Sequence, residues 1–170
     1  MATKYTKKHT GKVLERYKRI LAEEIKRQLN KPNSNLSKSI QGIKLRGKDG
    51  FGIYMNEYGI YKNSGVNGTQ SAYSSPYSYK VKWPNIDKIK DWIVRNNVTP
   101  KTFKSTKLSE LEDLSFLIAR SIYKNGIRPT RFIDIAIEKV EPKMTIDLAN
   151  AYLKDLSEPL DKATPTAKKG

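Results

Sequence analysis

Residues 51–84 read FGIYMNEYGIYKNSGVNGTQSAYSSPYSYKVKWP, and the parsing of this stretch decides the fold. Its first part alternates, Phe51-Gly-Ile53-Tyr54-Met55-Asn-Glu57-Tyr58-Gly59-Ile60-Tyr61, which predicts a strand over Gly52–Tyr61. The alternation fails at Asn63-Ser64-Gly65 and Asn67-Gly68-Thr69, where Gly and Asn tolerate the backbone of tight turns. From there to Tyr79 runs a polar, tyrosine-rich loop, too long for an ordinary connection in a compact domain. Tyrosine is an amphipathic contact residue, so Asn63–Tyr79 is predicted to meet another chain. Tyr73, Tyr77 and Tyr79 are its anchors, Pro76 restrains its backbone, and Gly65 and Gly68 allow the bends at its base.

Upstream, alternation over Ser39–Arg46 followed by Gly47-Lys48-Asp49-Gly50 predicts a strand and hairpin turn leading into Gly52–Tyr61. A third strand is expected at Ser78–Lys82. Earlier still, Val13, Leu14, Tyr17, Ile20, Leu21, Ile25 and Leu29 have the spacing of one apolar helix face, read as core packing. Pro32 ends that helix. Downstream, Asn85 is placed to cap a helix carrying Ile86, Ile89, Trp92 and Ile93. Ser109 with Glu112 forms a capping box for a helix that Asn125-Gly126 closes. Phe132–Leu156 is helix-leaning, with Pro142 predicting a kink or two helices. The fold class is therefore α+β: a small antiparallel sheet of three or four strands, a long inserted loop, and helices mainly on one face. Residues 1–9 read as a flexible basic arm, 10–157 as a single domain, and 158–170 as a disordered tail.

The 170 residues suffice to bury a core without staples. Cysteine is absent and His9 is the single histidine, which excludes disulfides, thiolate catalysis, a histidine base and a multi-histidine metal site within one chain. No apolar run reaches membrane-span length and no secretory signal opens the chain, so a soluble intracellular protein is expected. A net charge of +16 favours polyanionic neighbours. The positive charge is spread along the chain, with enrichment at residues 1–31, ten Lys/Arg against three Glu, and at 80–107, eight against two Asp, neither a compact basic block.

Three enzymatic arrangements were weighed. Glu57 with Asp87 and Asp91 offers carboxylates for metal-assisted hydrolysis, but Lys88 and Lys90 surround the aspartates, as on an exposed helix face. Ser64, Ser74 and Ser75 lack a base. Gly65-Val-Asn-Gly68-Thr69 lacks the G-K-[ST] ending of a phosphate loop. No enzyme activity, cofactor or metal is predicted. Tyr73, Tyr77, Tyr79 and Trp83, interleaved with Lys80 and Lys82, also fit a base-stacking strip, so a stand-alone basic nucleic-acid-binding protein is the alternative.

Four segments in order resemble the tail-completion and head–tail joining proteins of tailed bacteriophages. Asn35-Leu36-Ser37-Lys38-Ser39-Ile40 is similar to "G-N-L-x-x-S-I" at the lead-in to that family's sheet. Tyr58-Gly-Ile-Tyr61-Lys-Asn63-Ser-Gly65-Val-Asn-Gly68-Thr69 is similar to "Y-V-x-x-G-V-x-G-T". Ser75-Pro76-Tyr77-Ser78-Tyr79 with Lys82-Trp83-Pro84 and the Trp92 helix forms the third. Ile118-Ala-Arg-Ser-Ile122-Tyr123 with Asn125-Gly-Ile-Arg128-Pro129-Thr-Arg131-Phe132 resembles "I-A-x-x-I-x-x-x-G-I-x-P-x-x-F". The resemblance spans about residues 10–140. Trp83 departs from it where Met is expected, and Arg131 where a small residue or Pro is commoner. It implies a structural virion protein, part of the neck or connector between portal vertex and tail, with a DNA channel. The implied partners are copies of itself in a ring of six or twelve, portal or adaptor and tail proteins, and genomic DNA, with no membrane. The implied location is the virion, and the host cytoplasm during assembly. Trp83, Arg128 and Arg131 join Asn63–Tyr79 as expected contact residues, the arginines as ion-pair donors to an acidic neighbour.

Overall fold

The computed structural model describes residues 7–29, 31, 34–46, 49–80, 82–98 and 108–163. Within them lie helices α1 (Lys8–Arg27), α2 (Asn35–Ser39), α3 (Tyr58–Ser64), α4 (Ile86–Arg95), α5 (Leu108–Asn125) and α6 (Phe132–Ala163). Strands β1 (Gln41–Lys44) and β2 (Phe51–Tyr54) pair antiparallel, Gln41 opposite Tyr54 and Lys44 opposite Phe51. The architecture is mixed α/β in two compact units. One comprises the chain up to Asn56 together with everything from Phe132 onward; the other is Glu57–Arg131.

The first unit is organised by α1, which packs on α6 and on both strands. Gly42 lets β1 approach the helix, since a methyl group there would sit 2.8 Å from the Lys18 carbonyl oxygen. The core is Ala22, Ile25, Leu29, Leu36, Ile40, Phe132 and Ala136, with Ile53 and Met55 of the hairpin segment against it. Phe132 is 1% exposed, a burial worth about 2–3 kcal/mol. Helix α1 has neither an acidic first turn nor a side-chain cap from Lys7. Its orphan amides are met from α6: His9 N donates to Asp155 Oδ1 at 2.8 Å and Thr10 N to Oδ2 at 2.9 Å. Further along, the Tyr17 hydroxyl donates to Asp147 Oδ2 at 2.6 Å, and Lys139 pairs with the buried Glu24 at 3.4 Å. As α1 advances from His9 to Glu24 its partners step back from Asp155 to Lys139, so the helices run antiparallel. Burial opposes the charged form of Asp155, but the two amides and the nearby His9 outweigh it and hold the carboxyl at about 2.

Several expectations are corrected. The sheet has two strands among the described residues, not three or four, and the strand predicted to reach Tyr61 ends at Tyr54. After it, the Asn56 amide donates to Ser39 Oγ and the chain turns into α3. The buried pair on α3 is Gly59 and Asn63, four apart, whereas the conspicuous Tyr58 and Ile60 are exposed. Among the described residues of Ser78–Lys82 there is no strand; Ser78 makes an isolated bridge with Asn67. Pro142 does not split the last helix into two, since α6 is one helix through both Pro142 and Pro159. Glu138, Glu141, Pro142 and Lys143 are all exposed, so the proline sits on the solvent side of the helix. Helix α6 continues to Ala163, into the segment expected to be a tail, and α1 already includes Lys8 and His9 of the expected arm. Residues 1–6 and 164–170 of those two segments lie outside the described residues. Asn85 caps α4 as expected, its side chain accepting from the Lys88 amide, and Asn125-Gly126 ends α5. Helical backbone starts at Leu108, one residue before the expected cap Ser109.

Candidate partner-contact loop

All ten predicted contact residues fall in Glu57–Arg131. Their scaffold is a junction of three glycines. Val66 N donates to the Ile127 carbonyl and Ile127 N to the Val66 carbonyl, both at 2.8 Å. Thr69 N reaches the Tyr123 carbonyl at 3.0 Å and Gln70 N the Lys124 carbonyl at 2.9 Å, which satisfies the free end of α5. This approach demands glycine. A methyl group on Gly68 would lie 2.1 Å from the Lys124 oxygen, and one on Gly126 would lie 2.1 Å from the Val66 oxygen. Gly65, with φ of 73°, would meet the Ile127 oxygen at 2.6 Å. The second and fourth family-like segments are thus each other's structural partners.

The end of α3 is closed by the same return segment. Lys62 O accepts from Thr130 N at 3.0 Å and from Thr130 Oγ1 at 2.8 Å, and Asn63 O accepts from Arg131 N at 3.1 Å. Asn63 is buried, and Arg131 holds a left-handed φ of 51°. Its amide contact is one that proline could not make. The Arg128 and Arg131 side chains are exposed.

The loop itself is shaped by Asn67, which the sequence reading named only as a turn residue and not as a contact or anchoring residue. Its Oδ1 accepts from Tyr73 N at 2.6 Å and Ser75 N at 3.3 Å, while Nδ2 donates to Ser75 O at 2.7 Å. Its backbone N donates to Tyr77 O at 2.8 Å and its carbonyl accepts from Tyr79 N at 2.9 Å. One asparagine thereby fixes the backbone at all three tyrosines. Ser75 Oγ adds a bond to Gly65 O at 2.7 Å. Asparagine in the Gly65-Val66-Asn67-Gly68 turn, able to bond backbone through both its amide oxygen and nitrogen, was the available signal.

The result is a two-sided ribbon. Tyr73, Ser75, Tyr77 and Tyr79 are the half-buried row; Ala72, Ser74, Pro76, Ser78 and Lys80 face solvent. Tyr77 sets its ring edge-on to Tyr61 at 4.7 Å, and burial pushes the Tyr79 phenol pKa up. The tyrosines therefore grip their own unit with one side, and the outward row is small and polar. Trp83 stacks near-parallel with Tyr123 at 4.7 Å and with Phe116 at 5.8 Å. Those partners are seven residues apart on α5, a rise of about 10.5 Å along the helix, and each stacks on Trp83. Trp83 nonetheless keeps 41% of its surface exposed.

The carboxylates weighed for catalysis stay apart from the loop: Asp87 and Asp91 are exposed on α4 and Glu57 precedes α3. Among the described residues no group of three His, Cys, Asp or Glu side chains is placed to hold a metal, and no helix is long and apolar enough to cross a membrane. Comparison with protein families, curated proteins and solved structures returned no significant match to this chain.

Proposed function

We propose that this chain is a non-catalytic structural subunit of a tailed-phage neck, assembling through its Asn63–Tyr79 loop into a ring of six or twelve copies between portal vertex and tail. The observation that carries the proposal is the Asn67 clasp. A loop of this length is held in shape by Asn67, through its side chain and backbone, together with Ser75, and presents an outward row of small residues. Such a preformed surface loses little conformational freedom when a neighbour covers it. A loop contact of this kind is heterologous, and repeated by rotation it closes a ring. The order of the four family-like segments, with the Gly65–Thr69 and Asn125–Phe132 segments bonded together, supports the same assignment. Arg128, Arg131 and the exposed part of Trp83 complete the proposed contact, with acidic portal, adaptor or tail surfaces facing the arginines. A charge of +16 suits a channel that passes DNA.

The purified chain should sediment as a discrete ring with or without duplex DNA at physiological salt, and antibody should mark the virion neck in electron micrographs. A monomer that binds DNA tightly under those conditions would instead make this a stand-alone nucleic-acid-binding protein. The pair Ala72→Glu and Ser78→Glu alters the outward row and leaves the tyrosines in place. It should yield folded chains that do not close a ring or join heads to tails; assembly at parental yield removes the loop from the joint.

A further inference from the structure

Helix α6 is apolar on two sides. Val140, Leu148, Ala151 and Asp155 lie toward α1, and Ile146, Ala149, Leu153, Leu156 and Leu160 lie on the opposite arc. The second set alternates three and four residues apart over two heptads, and its members fall within about 80° of one another around the axis. All are exposed: Ile146 and Leu153 at 62%, Leu156 at 39%. A helix serving a lone core needs one such stripe; this one has a second with coiled-coil spacing.

We infer that this stripe is a docking face for the same helix of a second copy. The charges select that occupant. Between Ile146 and Leu160 the charged residues are Asp147, Lys154, Asp155 and Glu158, three acids against one base, a local −2 in a chain of +16. Asp147 and Asp155 are engaged by α1 on the far side of the helix. The shoulders of the stripe, Thr145, Asn150, Tyr152 and Ser157, are uncharged, so a like copy meets no repulsion there and a charged partner helix finds nothing to select it. The apolar stripe offers on the order of 400 Å² per copy, and the shoulders bring two copies near the ~1,200 Å² lower end of specific interfaces. The contact pairs a patch with itself about a two-fold axis, unlike the heterologous loop contact, and does not rest on the ring assignment.

Sedimentation equilibrium in the Ala72→Glu, Ser78→Glu background tests the stripe with the loop contact removed. A concentration-dependent dimer is expected there, and Leu153→Glu should raise its dissociation constant at least about tenfold. Leu153 is exposed, so the variant should keep the parental circular dichroism and melting temperature. Because the chain has no cysteine, Lys154→Cys gives a single nitroxide site, and dipolar spectra should show one interspin distance that Leu153→Glu abolishes. A monomer at about 100 µM, or a dimer indifferent to Leu153→Glu, overturns the assignment.

Discussion

Replacing Gly68 with alanine puts the glycine junction to a direct test. The new methyl carbon would lie 2.1 Å from the Lys124 oxygen, 2.4 Å from the Gly126 nitrogen and 2.6 Å from the Asn125 carbonyl carbon. All three are backbone atoms, so no rotamer change relieves the clash, and the two segments must separate by about 1 Å or more. Separation stretches four hydrogen bonds, the Val66–Ile127 pair and the two that close α5. Overpacking costs about 1–3 kcal/mol and each lost bond about 1 kcal/mol, with relaxation recovering part, so we expect about 3 kcal/mol. In a chain of this size that lowers the melting temperature by roughly 6–12 °C. Calorimetry should read the shift, and the amides of Val66, Thr69, Gln70 and Ile127 should exchange faster while those of α1 do not. Gly11→Ala is the internal control: nothing lies within 4 Å of an added carbon in α1, so it should stabilise by about 0.5–1 kcal/mol. A Gly68→Ala protein that melts within about 2 °C of the parent, with those amides still protected, would refute the close-approach explanation.

Two further outcomes concern the other unit. Asp155 titrates at about 2 against an ordinary 3.8, so its contribution is complete above about pH 4 and is lost as pH falls toward 2; Asp155→Asn should flatten that acid limb and lower stability at pH 7, and a variant profile superposing on the parent's would sink the capping role. Phe132→Ala should cost about 3–5 kcal/mol in urea unfolding, and a loss under about 1.5 kcal/mol would mean that Phe132 is not the centre of the core.

How much of this was legible depended on whether the signal was local. The apolar face of α1, the Asn85 cap and the Gly126 stop rest on interactions within a few residues, and the sequence shows them. The strand predicted through Tyr61 failed because Tyr58 and Ile60 alternate attractively, while the true helical pair, Gly59 and Asn63, carries no apolar mark. The Asp155 cap on α1 was invisible because 146 positions separate donor and acceptor at His9. Within the contact loop, Gly65 and Gly68 were named for bends, but their close approach to Lys124–Pro129 required knowing which segment returns. The tyrosine rhythm gave the loop's row of rings but not its direction. The alternating burial of residues 72–80 and the Tyr61–Tyr77 contact supply that direction.

The nesting of Glu57–Arg131 inside the first unit has a consequence for the order in which the protein is completed at the ribosome. Helix α1 and the hairpin emerge early, yet Phe132, Ala136 and Asp155 are synthesised only after the whole inserted unit. Until then the apolar face of α1 has no α6 to cover it and its leading amides have only water. The inserted unit, continuous in sequence, can finish first, and α1, made before it, is among the last elements to reach its final surroundings.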